Sequence, residues 1–357
     1  MTIILSNEDV DELLTMPECI EALEDAYREL AQGRGVNRTR SDTFAPTTRQ
    51  DALYSLKSMD GIVPKLGVGA VRINSDILTW PTRDGNARRE KVPAAPNARW
   101  VGLVLLFSTE TGEPLAIFPD GCIQRLRVGA TNGLGAKYLA REDAKTVGLL
   151  GSGWQAGGQL MAITAVRRIE RIRCFSPNRE RREAFAREMA QKVGVEIVPV
   201  GSPEQAVKGA DVVMCATNTI EPVFFARWLE PGMHLSSIKR PEIEGAAFKR
   251  ADQVVIHSHE ASPLYFSTPG LVIPEKTQGK GWSVGKELDF DALPDLKDLI
   301  AKKAPGRNSA QAITCFLNNI GMGYQFAAAG AAVYRKAKQQ GRGRELPTEW
   351  FTQDVHS

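Results

Sequence analysis

The chain is poor in the residues that build metal centres and disulfide frameworks. It has four histidines and five cysteines in 357 residues, with no CxxC spacing. Cys19, Cys122, Cys174, Cys215 and Cys315 are odd in number and widely scattered, which reads as reduced thiols of a cytoplasmic protein. His257 and His259 would share one face of a strand, but no second ligand pair stands near them. No metal is therefore expected, and the histidines read as structural. No apolar run approaches the ~20 residues of a membrane helix, and the N-terminus lacks the basic-then-apolar order of a signal peptide. Charge of one sign is scarce as well. A net charge of +3, with no basic stripe among aromatics, argues against nucleic acid as a partner. A content of 43% hydrophobic and 24% charged residues fits a globular protein of about two domains.

What the chain does have is Lys145-Thr-Val-Gly-Leu-Leu-Gly151-Ser152-Gly153-Trp154-Gln155-Ala156, an apolar strand running into a glycine-rich turn and a helix-like stretch to Arg168. A dinucleotide pyrophosphate needs this order. Gly151 permits the tight turn, Gly153 keeps side chains off the phosphate, and a small third residue lets helix and strand pack. The helix N-terminus offers N–H groups and positive potential to the anion. The next strand ends in Ser176-Pro-Asn178-Arg179-Glu-Arg-Arg182, without the carboxylate that usually binds an NAD ribose. Ser176, Asn178 and Arg179 favour the 2′-phosphate of NADP over NAD, although the same arginines fit an ordinary charged helix face.

The chain changes grammar near Ala144. Before it, strands at Ala52–Lys57, Gly67–Asn74, Trp100–Ser108 and Pro114–Phe118 follow an N-terminal strand and two helices, an α+β layer. After it, strands recur at 146–150, 172–175, 196–200, 212–216, 234–238 and 253–256 with helices between several of them, the pattern of a doubly wound α/β sheet. Ala310–Gln339 is expected to be helical and closely packed, being rich in Ala and Gly. Asp76–Ala98, with Trp80, Arg83, Arg88, Arg89 and Lys91, reads as a long loop that either covers a site or is merely solvated.

These motifs resemble the ornithine cyclodeaminase and mu-crystallin family over most of the chain. The resemblance rests on Gly112-Glu-Pro-Leu-Ala, Gln124-Arg-Leu-Arg127-Val-Gly-Ala with Gly135-Ala-Lys-Tyr-Leu-Ala, and the Gly151 turn. Asp211-Val-Val-Met-Cys-Ala216-Thr217-Asn218 and Pro231-Gly-Met-His-Leu add to it. It implies a Rossmann-type dinucleotide domain (123–317) inserted in an α+β substrate-binding and dimerisation domain built from both chain ends (1–122 and 318–357). It further implies a homodimer acting on a small amino or imino acid, with Ala216, Thr217, Asn218, Ser237 and Ile238 beside the cofactor.

By the family pattern, Arg127 is the first candidate to hold a substrate carboxylate and Arg40 the second, since guanidinium forks bind carboxylates bidentately. A lysine normal to the family falls on Arg72 here, and an arginine stays charged where a lysine can shed its proton. Lys57 or Lys65 could serve instead. Glu242 is a candidate proton donor or amine partner, or only a helix-start carboxylate. Tyr324-Gln325-Phe326 stands where many members carry Gln-Asp. The expected function is NAD(P)H-dependent reduction of a ketimine, or reductive amination of a keto acid. Ornithine cyclodeamination with recycled NAD is the alternative, and an NADPH-binding crystallin-like protein without turnover is the third reading.

Overall fold

A computed structural model describes residues 1–83, 86–87, 89–219, 221–259, 263–273 and 288–354. The chain divides into two compact units. One comprises Met1–Arg127, Ser262–Thr277 and Gly321–Ser357, the other Val128–Ala261 and Gln278–Ile320. No described helix is long and apolar enough to cross a membrane, and all five cysteines are free thiols.

The first unit is built on a ten-stranded sheet. Its central strands are Ala52–Val63, Val68–Thr79 and Val101–Ser108, paired antiparallel, and Val101–Ser108 continues through a turn into Pro114–Pro119, also antiparallel. Strict alternation fixes the two faces, because successive side chains point to opposite sides. Val68, Ala70, Arg72, Asn74, Asp76 and Leu78 are buried, and the residues between them are half-buried. The helix Gly323–Gln340 packs on Ala52–Val63 and Val68–Thr79, burying Tyr324, Gln325, Phe326 and a run of alanines. The opposite face is apolar and partly open: Leu56, Ile62, Val101 and Leu103 are exposed. The expected loop at 76–98 is only partly a loop. Asp76–Thr79 completes the long strand, Glu90–Val92 pairs with it, and Trp80 packs beside Phe44 and Leu78. Arg88 and the side chain of Arg83 lie outside the described residues.

The second unit is a seven-stranded, all-parallel sheet. From Thr146–Leu150 the chain steps outward to Arg171–Phe175 and Ile197–Pro199, then returns to Val212–Cys215 and His234–Ser237 on the other side. Helices Trp154–Val166 and Arg179–Val193 belong to the outward half. One expectation is corrected here. Residues 310–322 are not helical: Thr314–Leu317 is a strand between His234–Ser237 and Gln253–Ile256, and the helix begins only at Gly323. Thr-Cys-Phe-Leu is a fully buried run, which lacks the alternation that marks a half-exposed strand. His257 and His259 lie past the strand end at Ile256. His257 Nδ1 bonds Ile320 O, and His259 Nε2 meets Leu293 O at 2.9 Å.

Candidate active site

In the second unit a cleft of about 600 Å³ opens at the carboxyl ends of the parallel strands, where the strand order reverses. Gly151, Ser152, Gly153, Trp154 and Gln155 form one wall, Ser176 and Arg181 another, and Ala216, Thr217, Asn218 and Ile238 a third. Gly151 has φ +126 and donates its N–H to Phe175 O. Gly153 is the N-cap of the following helix and supplies no side-chain cap, so the first N–H groups of that helix face the turn. Gln155 Oε1 is buried without a hydrogen-bond partner among the described residues, as is Ser237 Oγ. Ser152 Oγ and Ser176 Oγ are 2.7 Å apart. Among the described residues no carboxylate lines the cleft. A diphosphate with two nucleosides fits this donor set: N–H groups for the anion, hydroxyls for a ribose and no opposing charge.

In the first unit the buried sheet face carries charge at alternate positions. Arg72 Nε donates to Asp120 Oδ2 at 2.7 Å and Nη2 to Gln124 Oε1 at 3.2 Å. Arg40 forms a two-pronged pair with Asp42, both bonds at 2.8 Å. Lys57 Nζ lies 3.9 Å from Asp76, which also receives Lys91 at 2.9 Å. Arg127 is 6% exposed, donates to Gln325 Oε1 at 3.1 Å, and stacks 5.2 Å from the centre of the Phe326 ring. Arg72 sits 5.5 Å from the same ring. Burial first, and the Arg72 charge next, pull the Arg127 guanidinium down to about 9, so it remains a cation at neutral pH. Burial, with Arg89 next, lowers the Lys57 amine to about 7.

Residues 1–341 match the ornithine cyclodeaminase/mu-crystallin family model. The chain belongs to this family. A Delta(1)-pyrroline-2-carboxylate reductase of Bacillus cereus is 28% identical over 351 residues, 97% of this chain and 99% of that protein. The solved structure of Thermococcus litoralis Delta(1)-pyrroline-2-carboxylate reductase, in complex with NADH and L-proline, aligns with a TM-score of 0.78 at 28% identity. It covers 97% of this chain and all (100%) of that one. An alanine dehydrogenase of Archaeoglobus fulgidus is 26% identical over 97% of this chain and 98% of its own length.

Against this family background, several expected site residues turn out to be committed elsewhere. Glu242 is fully buried. One oxygen accepts from Thr217 N at 2.5 Å and Thr217 Oγ1 at 2.7 Å, the other from Ile238 N at 3.0 Å. It clamps the two loops that carry Thr217 and Ile238. Burial raises its carboxyl against those bonds. Arg72 is likewise not an open fork, because Asp120 holds it, and Asp42 occupies the fork of Arg40. Arg179 turns away from the cleft to Glu183 at 2.7 Å, and Asn178 caps its helix through Arg181 N. Ala156 is buried beneath the turn. Lys65 is exposed and pairs with Glu29. Sequence alone does not single out Arg181, Asp120 or the Phe326 ring. The Arg72-x-Asn74-x-Asp76 alternation carried the signal for a buried polar face.

Proposed function

We infer that this chain is an NAD(P)H-dependent reductase of a small α-imino acid, either supplied as a cyclic imine or formed from a keto acid and an amine. The observation that carries the reading is the Arg72–Asp120 pair beside Arg127. It leaves the first unit a buried guanidinium able to orient a carboxylate, and no lysine at position 72 for the repeated proton transfers of cyclodeamination. Arg127 holds the α-carboxylate, and the Phe326 ring fixes the guanidinium plane. The turn Gly151–Gly153 and the helix behind it hold the pyrophosphate, with Ser176, Asn218 and Ile238 around the nucleosides. The bound dinucleotide supplies a hydride. The relatives' activities and the NADH and L-proline of the Thermococcus protein support the same class.

The test is a paired assay. One arm follows NADPH and NADH oxidation with cyclic imino acids, and with α-keto acids plus ammonia or amines. The other follows ammonia release from L-ornithine and L-lysine with catalytic NAD(P). Stoichiometric cofactor oxidation without ammonia release is expected. Ammonia release without net cofactor change would make the chain a cyclodeaminase, and tight NADPH binding with no turnover would make it a binding protein. NADPH is expected to be preferred, because Arg181 lines the cleft with Ser176 and the described lining residues include no carboxylate. Arg181→Ala should erase that preference about tenfold or more, the worth of one charge-assisted phosphate contact. Arg179→Ala should leave it intact.

A cytoplasmic homodimer is proposed through the open sheet face. Val101 and Leu103 are exposed, and on that face Leu103 stands cross-strand to Ile73 and Leu105 to Val71. Such a continuous apolar surface marks a subunit contact. Sedimentation should give twice the mass of the 39.1 kDa chain. Leu103→Asp should shift the protein to monomer.

A further inference from the structure

Two walls of the cleft in the second unit are braced by helices, and the third is not. Trp154 and Gln155 open one helix, and Arg181 lies in the first turn of another. Thr217, Asn218, Pro222, Val223, Phe225 and Ile238 line the cleft from outside any helix or strand. Loops keep a fixed surface only where other contacts hold them.

Here the contacts converge on Glu242, which is fully buried behind this wall and does not line the cleft itself. One oxygen of its carboxylate receives Thr217 N and Thr217 Oγ1. The other receives Ile238 N, which also reaches Cys215 O at 3.3 Å. An N–H group, which can only donate, thus meets each oxygen, so the carboxylate serves as a double acceptor. The Glu242 carbonyl in turn receives Val223 N at 2.8 Å and Phe224 N at 3.0 Å. Beside it, Lys239 Nζ donates to Thr219 O at 2.6 Å, and Ala226 N to Glu244 Oε2 at 2.7 Å. One residue therefore ties the loops that follow Val212–Cys215 and His234–Ser237 to each other and to the segment between them.

We propose that Glu242 is a positioning residue that preassembles the nicotinamide side of the cleft, while the adenosine side forms without it. The proposal rests on the dinucleotide reading of this cleft. The two sides follow from topology. Each half of a doubly wound sheet takes one nucleoside, and the adenosine ribose lies at the end of the strand after the glycine turn. That strand is Arg171–Phe175, on one side of Thr146–Leu150. The nicotinamide side then falls to Val212–Cys215 and His234–Ser237, on the other. A wall that is assembled for only part of the time lowers the apparent affinity by that fraction, and saturating ligand restores it.

Glu242→Gln tests this, since it keeps the volume but sets an amide N–H₂ against one of the donors. The Kd for NADPH should rise about 10- to 100-fold, the worth of one hydrogen bond to a charged group. Affinity for adenosine 2′,5′-bisphosphate, which stops at the adenosine half, should stay within about twofold. At saturating NADPH, kcat for imine reduction should return to within about threefold of the wild type. Removing a proton donor would instead cost about 10²-fold or more at saturation. Amide hydrogen exchange should find Thr217 and Ile238 protected in the wild type before any dinucleotide is added, and exchanging faster in the variant. Unchanged NADPH affinity, equal loss for both ligands, a kcat that stays low, or amides protected only after dinucleotide binds would each remove Glu242 from this role and leave the cofactor reading standing. A wild type that binds neither NADPH nor NADH would remove both.

Discussion

Replacing Arg127 by lysine raises the KM for the imino acid about 30- to 5,000-fold while dinucleotide affinity stays at the wild-type value. The magnitude corresponds to the roughly 2–5 kcal/mol lost when one member of a buried charge pair is removed. The change is not conservative here. The guanidinium is bonded to Gln325 and lies over the Phe326 ring, an arrangement in which it would meet a planar carboxylate with two parallel N–H groups. An ammonium offers a point charge and cannot stack in the same way. Gln325→Glu should act in the same direction without removing the arginine. The new carboxylate would occupy Arg127 from within the protein, and Tyr27 OH, now bonded to Gln325 Nε2 at 3.0 Å, can rotate to donate instead. Substrate saturation curves for both variants, with dinucleotide titrations alongside, check the expectation. A normal KM in both would exclude Arg127 as the anchor.

The second large effect separates two glycines that the motif treats alike. A Cβ on Gly153 meets nothing within 4 Å, whereas one on Gly151 would lie 2.2 Å from the Ala216 carbonyl oxygen at φ +126. Gly153→Val should therefore fold normally, with about 1 kcal/mol or less lost at the helix cap. It should still lose NADPH affinity at least about 100-fold, near 2.7 kcal/mol, because the new methyls would stand beside the turn proposed to hold the pyrophosphate. Gly151→Ala should lose binding and stability together. The backbone strain alone costs about 1–3 kcal/mol, and the clash is with a main-chain atom that cannot turn aside. Thermal unfolding and dinucleotide titration of the pair distinguish the cases. Equal stability loss in both would mean that Gly153 serves packing rather than ligand approach.

The Gly151 turn and the strand–helix alternation after Ala144 were legible because they are local. Periodicity and glycine spacing report on neighbours in the chain, and the parallel sheet follows from them. The Thr314–Leu317 strand was hidden because a buried parallel strand has no alternation, and the Ala-rich helix next to it dominates the window. Partners were hidden for a different reason. Nothing near Glu242 in the sequence announces that Thr217 N, 25 residues back, will close on it. Nor does Arg72 announce Asp120, 48 residues on. The residue types of a charged site can be read from the chain. Which of those charges neutralise one another depends on sheet register and on side-chain reach across it, and those are set only when the layers pack.

Arg127 and Gln325 are 198 residues apart, and this separation bears on the order of synthesis. When residues 1–320 have left the ribosome, every strand of the second sheet has been made, while the first still lacks the helix Gly323–Gln340 that covers its charged face. Arg72 and Arg127 then lack the Phe326 ring, and Arg127 its Gln325 partner, until that helix is made. The parallel-sheet unit is complete early, and the first unit waits for the helix Gly323–Gln340, so a chain stopped before that helix keeps the parallel sheet without the cover of the first sheet's charged face.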